Sequence, residues 1–129
     1  MHLLKTKVPL SAVMILLLGL PFASRAMDEN GNYAVWSVGK KSCYSYSKAR
    51  EGEEQDKYKT FIMGYLTAYN AFTTETYSIS GSMTLPEILE WLDDYCELKP
   101  IHSFELALTE FMTAHKEKRQ RHSPVGFGR

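Results

Sequence analysis

Cys43 and Cys96 are the only cysteines in the chain. Thiols so placed offer three chemistries: a disulfide, two buried free thiols, or part of a metal site. Cys43 has no CxxC neighbour and no histidine at ligand spacing, which argues against a metal pair. Beyond residue 26 the histidines are His102, His115 and His122, and none belongs to an HExxH motif or a Cys/His pairing. His115 lies on or beside an apolar helical stripe, where a packed ring or a helix C-terminal contact is the ordinary role for an imidazole. Asp93 and Asp94 are neighbours on a helical segment and point in different directions, which defeats a carboxylate dyad. The chain has no GxSxG, P-loop or dinucleotide fingerprint. The reading is a non-enzymatic protein with no catalytic residue, no metal and no cofactor.

The compartment decides among the thiol chemistries. Val8 to Phe22 is an apolar run behind Lys5 and Lys7 and ahead of Ala23-Ser24-Arg25-Ala26. A basic flank, an apolar segment short for a bilayer span, and small residues at Ser24 and Ala26 are the parts of a secretory signal peptide, with cleavage expected after Ala26. An uncleaved anchor is the other reading of that run; Pro9, Gly19 and Pro21 in or beside it weigh against one. In an oxidising compartment an even cysteine count argues for pairing. A Cys43–Cys96 bond would close a loop of about 53 residues, worth on the order of 4 kcal/mol by chain entropy. Removing residues 1–26 takes away Lys5, Lys7 and Arg25, so fifteen basic against fifteen acidic residues become twelve against fifteen. A mildly acidic exported chain of about 100 residues is one domain, not two, and is no nucleic-acid binder.

The elements that carry these residues read as helices. Beyond Tyr58, the residues Phe61, Ile62, Tyr65, Leu66, Tyr69 and Phe72 fall three and four apart and trace one helical face. Thr60, Gly64 and Ala68 line up beside that face at spacing four, and close approach of another backbone would explain a glycine within a helix. That row would admit a second copy of the chain as a homodimer. The polar run Thr74 to Ser82 reads as a connecting loop carrying Tyr77 and Ile79. Thr84-Leu85-Pro86-Glu87 predicts a capping box opening a helix with Leu85, Ile88, Leu89, Leu92, Tyr95 and Cys96 inward, ending before Pro100. Ser103 caps a third helix with Phe104, Ala107, Leu108, Phe111, Met112 and His115 on one face.

The expected organisation is a signal peptide at 1–26, an extended segment at 27–42, a helical domain at 43–115 and a loose basic tail at 116–129. The fold class is all-α, a small bundle of three to four helices with one disulfide. Lys116, Lys118, Arg119 and Arg121 with Phe127 make too weak an anchor for a membrane, so no stable insertion is expected after cleavage.

The order of Cys43, Gly64-Tyr65, Thr84 with Pro86, Cys96 and Pro100 resembles the small periplasmic acid-stress chaperones of the HdeA/HdeB type, over about Cys43 to Ala114. That resemblance implies an all-α fold in which Cys43–Cys96 ties a lead-in to the second long helix. The chain departs from the pattern in having Phe61-Ile62-Met63 where that family usually places a tryptophan, and in its basic tail. It is also similar to the Rap1a/Tai-type immunity proteins, exported helical proteins that neutralise delivered toxins, whose cysteines are usually arranged differently.

Both resemblances imply a protein-binding domain in the periplasm of a Gram-negative bacterium. A chaperone would bind unfolding client proteins. Carboxylates such as Glu51, Glu53, Glu54, Asp56, Glu87, Glu90, Asp93, Asp94 and Glu97 would lose charge toward pH 4, and repulsion among Lys and Arg would loosen the helices. The face of Tyr58, Phe61, Tyr65 and Tyr69 would then meet clients. An immunity protein would instead present the loop from Thr73 to Met83, with Tyr77 and Ile79 entering a toxin's cleft.

Overall fold

Ser42 and Ser103 each stand one residue ahead of a helix. The Ser42 hydroxyl accepts from the Ser45 N–H at 3.2 Å and the Ser103 hydroxyl from the Leu106 N–H at 3.1 Å. These caps open two of the four α-helices in the computed structural model, which describes residues 27–124. The helices are α1 (Cys43–Arg50), α2 (Gln55–Phe72), α3 (Leu85–Leu98) and α4 (Phe104–His115), with short 3-10 turns at Ser37–Lys40 and Lys116–Lys118. The described residues contain no strand, only isolated antiparallel bridges. The expected signal peptide lies outside the described residues. Among those described, no helix is long and apolar enough to cross a membrane.

Two compact units meet in sequence at Tyr33 and Ala34. In the first, the Asp28 carboxylate accepts from the backbone N–H groups of Asn32 at 2.7 Å and Asn30 at 2.9 Å, around Gly31 at φ +81°. Those donors, Asn32 foremost, hold the Asp28 carboxyl below its ordinary range.

The second unit holds the helices. Its two capping serines are paired: the Cys43 N–H donates to the His102 carbonyl at 2.8 Å and the Phe104 N–H to the Lys41 carbonyl at 2.8 Å, so α1 and α4 start side by side. α3 packs against α1 and α4, and the turn Ser37–Lys40 packs against α2 and α4. At the start of α3 the capping box is present, with the Thr84 N–H donating to the Glu87 carboxylate at 2.6 Å and the Thr84 hydroxyl at 2.8 Å.

The Cys43–Cys96 disulfide is formed, with Cα atoms 4.8 Å apart, and joins the first residue of α1 to the last turn of α3. Both cysteines are buried. Around them Tyr46, Tyr58 and Phe104 form a three-ring core: Tyr46 stacks on Phe104 at 4.6 Å, and Tyr58 meets both edge-on at 5.3 and 4.9 Å. Ile62, Ile79, Leu92, Leu108 and Phe111 are fully buried as well, each contributing about 1.5–3 kcal/mol by leaving water.

Three expectations are corrected here. Gly64 faces open space, with nothing within 4 Å of where a Cβ would stand, and Thr60 and Ala68 beside it are exposed. The close approach occurs instead at Gly39, where a Cβ would lie 2.5 Å from Cζ of Phe61 and 2.8 Å from Cγ1 of Val35. Phe72, expected on the buried stripe of α2, is 89% exposed at the end of that helix. The tail expected to be loose from Lys116 is fastened as far as Arg121: Gln120 bridges Ser78 in antiparallel fashion, and Arg121 pairs with Glu75 at 3.0 Å.

Candidate functional site

The residues assigned to binding separate into three environments. Tyr58 and Ile79 are in the core, 4% and 0% exposed. Ile79 therefore cannot enter a toxin's cleft from the folded loop. Its backbone N–H donates to Asn70 Oδ1 at 2.8 Å, which turns the apolar side chain inward beneath a polar strand of loop. Phe61, Tyr65 and Tyr69 are half-buried and pack against the core cluster. Tyr77 alone among them is an exposed aromatic, at 44%.

Tyr77 lies at a groove of about 540 Å3 lined by Thr67, Asn70 and Ala71 of α2 and by Thr76, Tyr77 and Ser78 of the following loop. The loop is held along its length. The N–H groups of Tyr77 and Ser78 both donate to the Gln120 carbonyl, at 2.8 and 3.0 Å, and Asn70 fixes Ile79. Arg119 adds a bond from Nε to the Glu75 carbonyl at 3.1 Å. All six lining side chains are uncharged. The neighbouring exposed residues of α2, Thr60, Met63, Gly64, Thr67, Ala68, Ala71 and Phe72, carry no charge either. Hydroxyls, an amide and an exposed phenol ring suit contacts with peptide-like groups.

A second arrangement concerns how α2 is held. The Tyr65 hydroxyl donates to the carboxylate of Glu105, a buried acid in the first turn of α4, which also accepts from the Thr109 hydroxyl at 3.2 Å. The helix N-terminus favours a negative group there. Across the bundle, Asp93 of α3 accepts from Arg50 Nε and Nη2, both at 2.8 Å, and from the buried Tyr46 hydroxyl at 2.7 Å. Burial first, then Asp93, hold the Tyr46 hydroxyl protonated far above its ordinary range, while the bond to Asp93 raises the Arg50 guanidinium. Desolvation, with Glu54 second, raises the Tyr58 hydroxyl. Two carboxylates thus join helices that are distant in sequence.

The histidines are engaged in local contacts. His102 Nδ1 lies 2.7 Å from the Tyr95 hydroxyl, and His115 Nδ1 lies 2.7 Å from the Phe111 carbonyl. Trp91 stacks on Tyr95 at 5.5 Å and meets Phe111 and His115 edge-on. The described residues contain no group of three or more His, Cys, Asp or Glu that could hold a metal ion.

Compared with protein-family models, with curated proteins and with solved structures, the chain matches none. The likenesses to HdeA/HdeB-type and Rap1a/Tai-type proteins therefore rest on the short motifs alone.

Proposed function

We propose that this is a periplasmic, non-enzymatic protein-binding domain that acts as an acid-stress chaperone of the HdeA type. The observation that carries the reading is that the aromatic helix α2 and its neighbours are joined through carboxylates. Glu105 receives Tyr65, and Asp93 receives Arg50 and Tyr46. A carboxylate that takes up a proton loses its charge and much of its strength as an acceptor. As pH falls the acidic residues as a class lose charge and the chain becomes positive, repulsion among Lys and Arg loosens the helices, and the half-buried rings of Phe61, Tyr65 and Tyr69 become available to unfolding clients. The Cys43–Cys96 bond keeps α1 and α3 together in the opened state.

The test is aggregation of an acid-labile client protein at about pH 3, where carboxylates are largely protonated. Suppression of light scattering at equimolar chaperone, accompanied by binding of a hydrophobic dye to the protein itself, supports the reading. Unchanged scattering with no dye binding sinks it.

The runner-up is an immunity protein, favoured by one observation: the uncharged groove at Tyr77 is held by backbone bonds to Gln120 and is ready-made at neutral pH. Affinity purification from periplasmic extract at neutral pH separates the two. A single stoichiometric partner lost on Tyr77→Ala supports the inhibitor; clients appearing only in acid support the chaperone.

A further inference from the structure

A second cleft, of about 290 Å3, opens where the loop after α2, the end of α4 and the basic tail meet, lined by Ile79, Ser80, Gly81, Ser82, Met83, His115 and Lys118. Its walls are set by backbone. Gly81 stands at φ +60°, a conformation that favours glycine, and a Cβ there would lie 3.3 Å from the Lys118 carbonyl. The Gly81 N–H donates to the Ser78 carbonyl at 3.2 Å, and the Ser78 hydroxyl returns a bond to the Gly81 carbonyl at 3.2 Å. The Met83 N–H closes the next turn onto the Ser80 carbonyl at 3.1 Å. Gln120 then ties Ser78 to the tail through its N–H at 2.9 Å, which fixes Lys118 opposite the double turn.

The chemistry of the lining is one-sided. Lys118 makes no ion pair and the Ser82 hydroxyl makes no hydrogen bond among the described residues. No carboxylate lines the cleft. His115 has Nδ1 committed to the Phe111 carbonyl and its ring stacked 4.2 Å from Phe111, so the imidazole is a rigid wall. Half-buried Met83 supplies apolar surface, with the fully buried Ile79 beneath it. Lys118 and Ser82 stand at the exposed rim of the cleft, beside half-buried Met83, where an ammonium and a hydroxyl are complementary to an oxyanion carried on a small apolar body.

We propose that this cleft binds such an anion, a carboxylate or a phosphate group, with Lys118 supplying the charge and Ser82 a hydrogen bond. This site is separate from the groove at Tyr77 and does not depend on the chaperone reading. A bound anion would bridge the loop at Ser82 to the tail at Lys118 and fasten the strap that already runs from Gln120 to Ser78.

The experiment is a titration of the purified protein with butyrate, acetate and inorganic phosphate, followed by backbone amide NMR. Saturable shifts confined to Gly81, Ser82 and Lys118 with at least one of these anions are expected, and the tighter of butyrate and phosphate identifies the kind of ligand. Butyrate should saturate at lower concentration than acetate, because Met83, which is half-buried at the cleft, receives its chain. Lys118→Gln should weaken binding about tenfold, the effect of losing one charged hydrogen bond. Lys116→Gln, which removes an equal charge from outside the cleft, should leave binding unchanged. Absence of saturable shifts, or equal weakening by the two substitutions, overturns the proposal.

Discussion

Arg50 and Asp93 form a two-pronged pair, with both nitrogen–oxygen contacts at 2.8 Å, and the same carboxylate receives the hydroxyl of Tyr46. The pair joins the last residue of α1 to α3, whereas the disulfide joins its first, so the two helices are held by a covalent and an ionic link. The side chains are still 29% and 38% exposed, so solvent discounts the ionic contribution. The larger effect comes from Tyr46, which is fully buried and would keep only a long contact of 3.4 Å to the Leu89 carbonyl.

Asp93→Ala should therefore destabilise by about 1–3 kcal/mol, more than Arg50→Ala, because it strands a buried hydroxyl as well as a cation. Urea denaturation of the two single variants, Tyr46→Phe and the double variants measures this. Equal costs for Asp93→Ala and Arg50→Ala would mean that the bond to Tyr46 contributes nothing.

Tyr77 and Ile79 lie two residues apart in one loop and should respond oppositely. Ile79→Ala empties a fully buried position and should cost about 2–5 kcal/mol of stability. Tyr77→Ala removes a ring that is 44% exposed and should stay within about 1 kcal/mol of the parent. Thermal unfolding distinguishes them. Binding lost in Tyr77→Ala at unchanged stability would locate a contact in the groove, whereas binding lost in Ile79→Ala would report only unfolding.

The sequence made α3 and α4 legible because their caps and apolar periods are local: Thr84 with Glu87, Ser103 alone, and inward residues three and four apart. The disulfide was legible from two cysteines and a leader-like run. Relationships set by which elements touch were not. Gly64 was read as a point of close approach, yet the glycine that meets another element is Gly39, in a segment with no period to announce it. Ile79 is one apolar residue in a polar run, so nothing nearby in sequence marks it as core. The strap from Gln120 to Ser78 is made by main-chain groups, which every residue carries, so the tail's basic composition conceals it. Glu105 and Asp93 look like solvated helix acids until Tyr65 and Tyr46 are seen to meet them.

Gly64→Ala offers a direct check on the exposed side of α2. With open space around the position, an added methyl group meets nothing, and the helix gains the propensity difference of about 1 kcal/mol. The melting temperature should rise and remain independent of protein concentration. A fall in stability, or a change in mass by light scattering, would mean that Thr60, Gly64 and Ala68 are covered by a second copy of the chain.

The capping box at α3 makes a pH dependence with a definite sign. The Thr84 N–H, then its hydroxyl, hold the Glu87 carboxyl below the ordinary 4.5 of glutamate. A carboxyl lowered in the folded state stabilises fully above its unfolded value and loses that contribution as pH falls through the folded value. Glu87→Gln should therefore unfold at lower urea than the parent at neutral pH, and the gap should shrink as pH falls below the ordinary glutamate value and through the lowered value of Glu87. Trp91, packed on Tyr95 and Phe111, is the fluorophore that reports the opening. Trp36 is 76% exposed and adds a constant background, so Trp36→Phe should sharpen the signal without moving its midpoint. A gap that stayed constant from neutral pH to pH 3 would show that the Glu87 charge contributes nothing to holding α3.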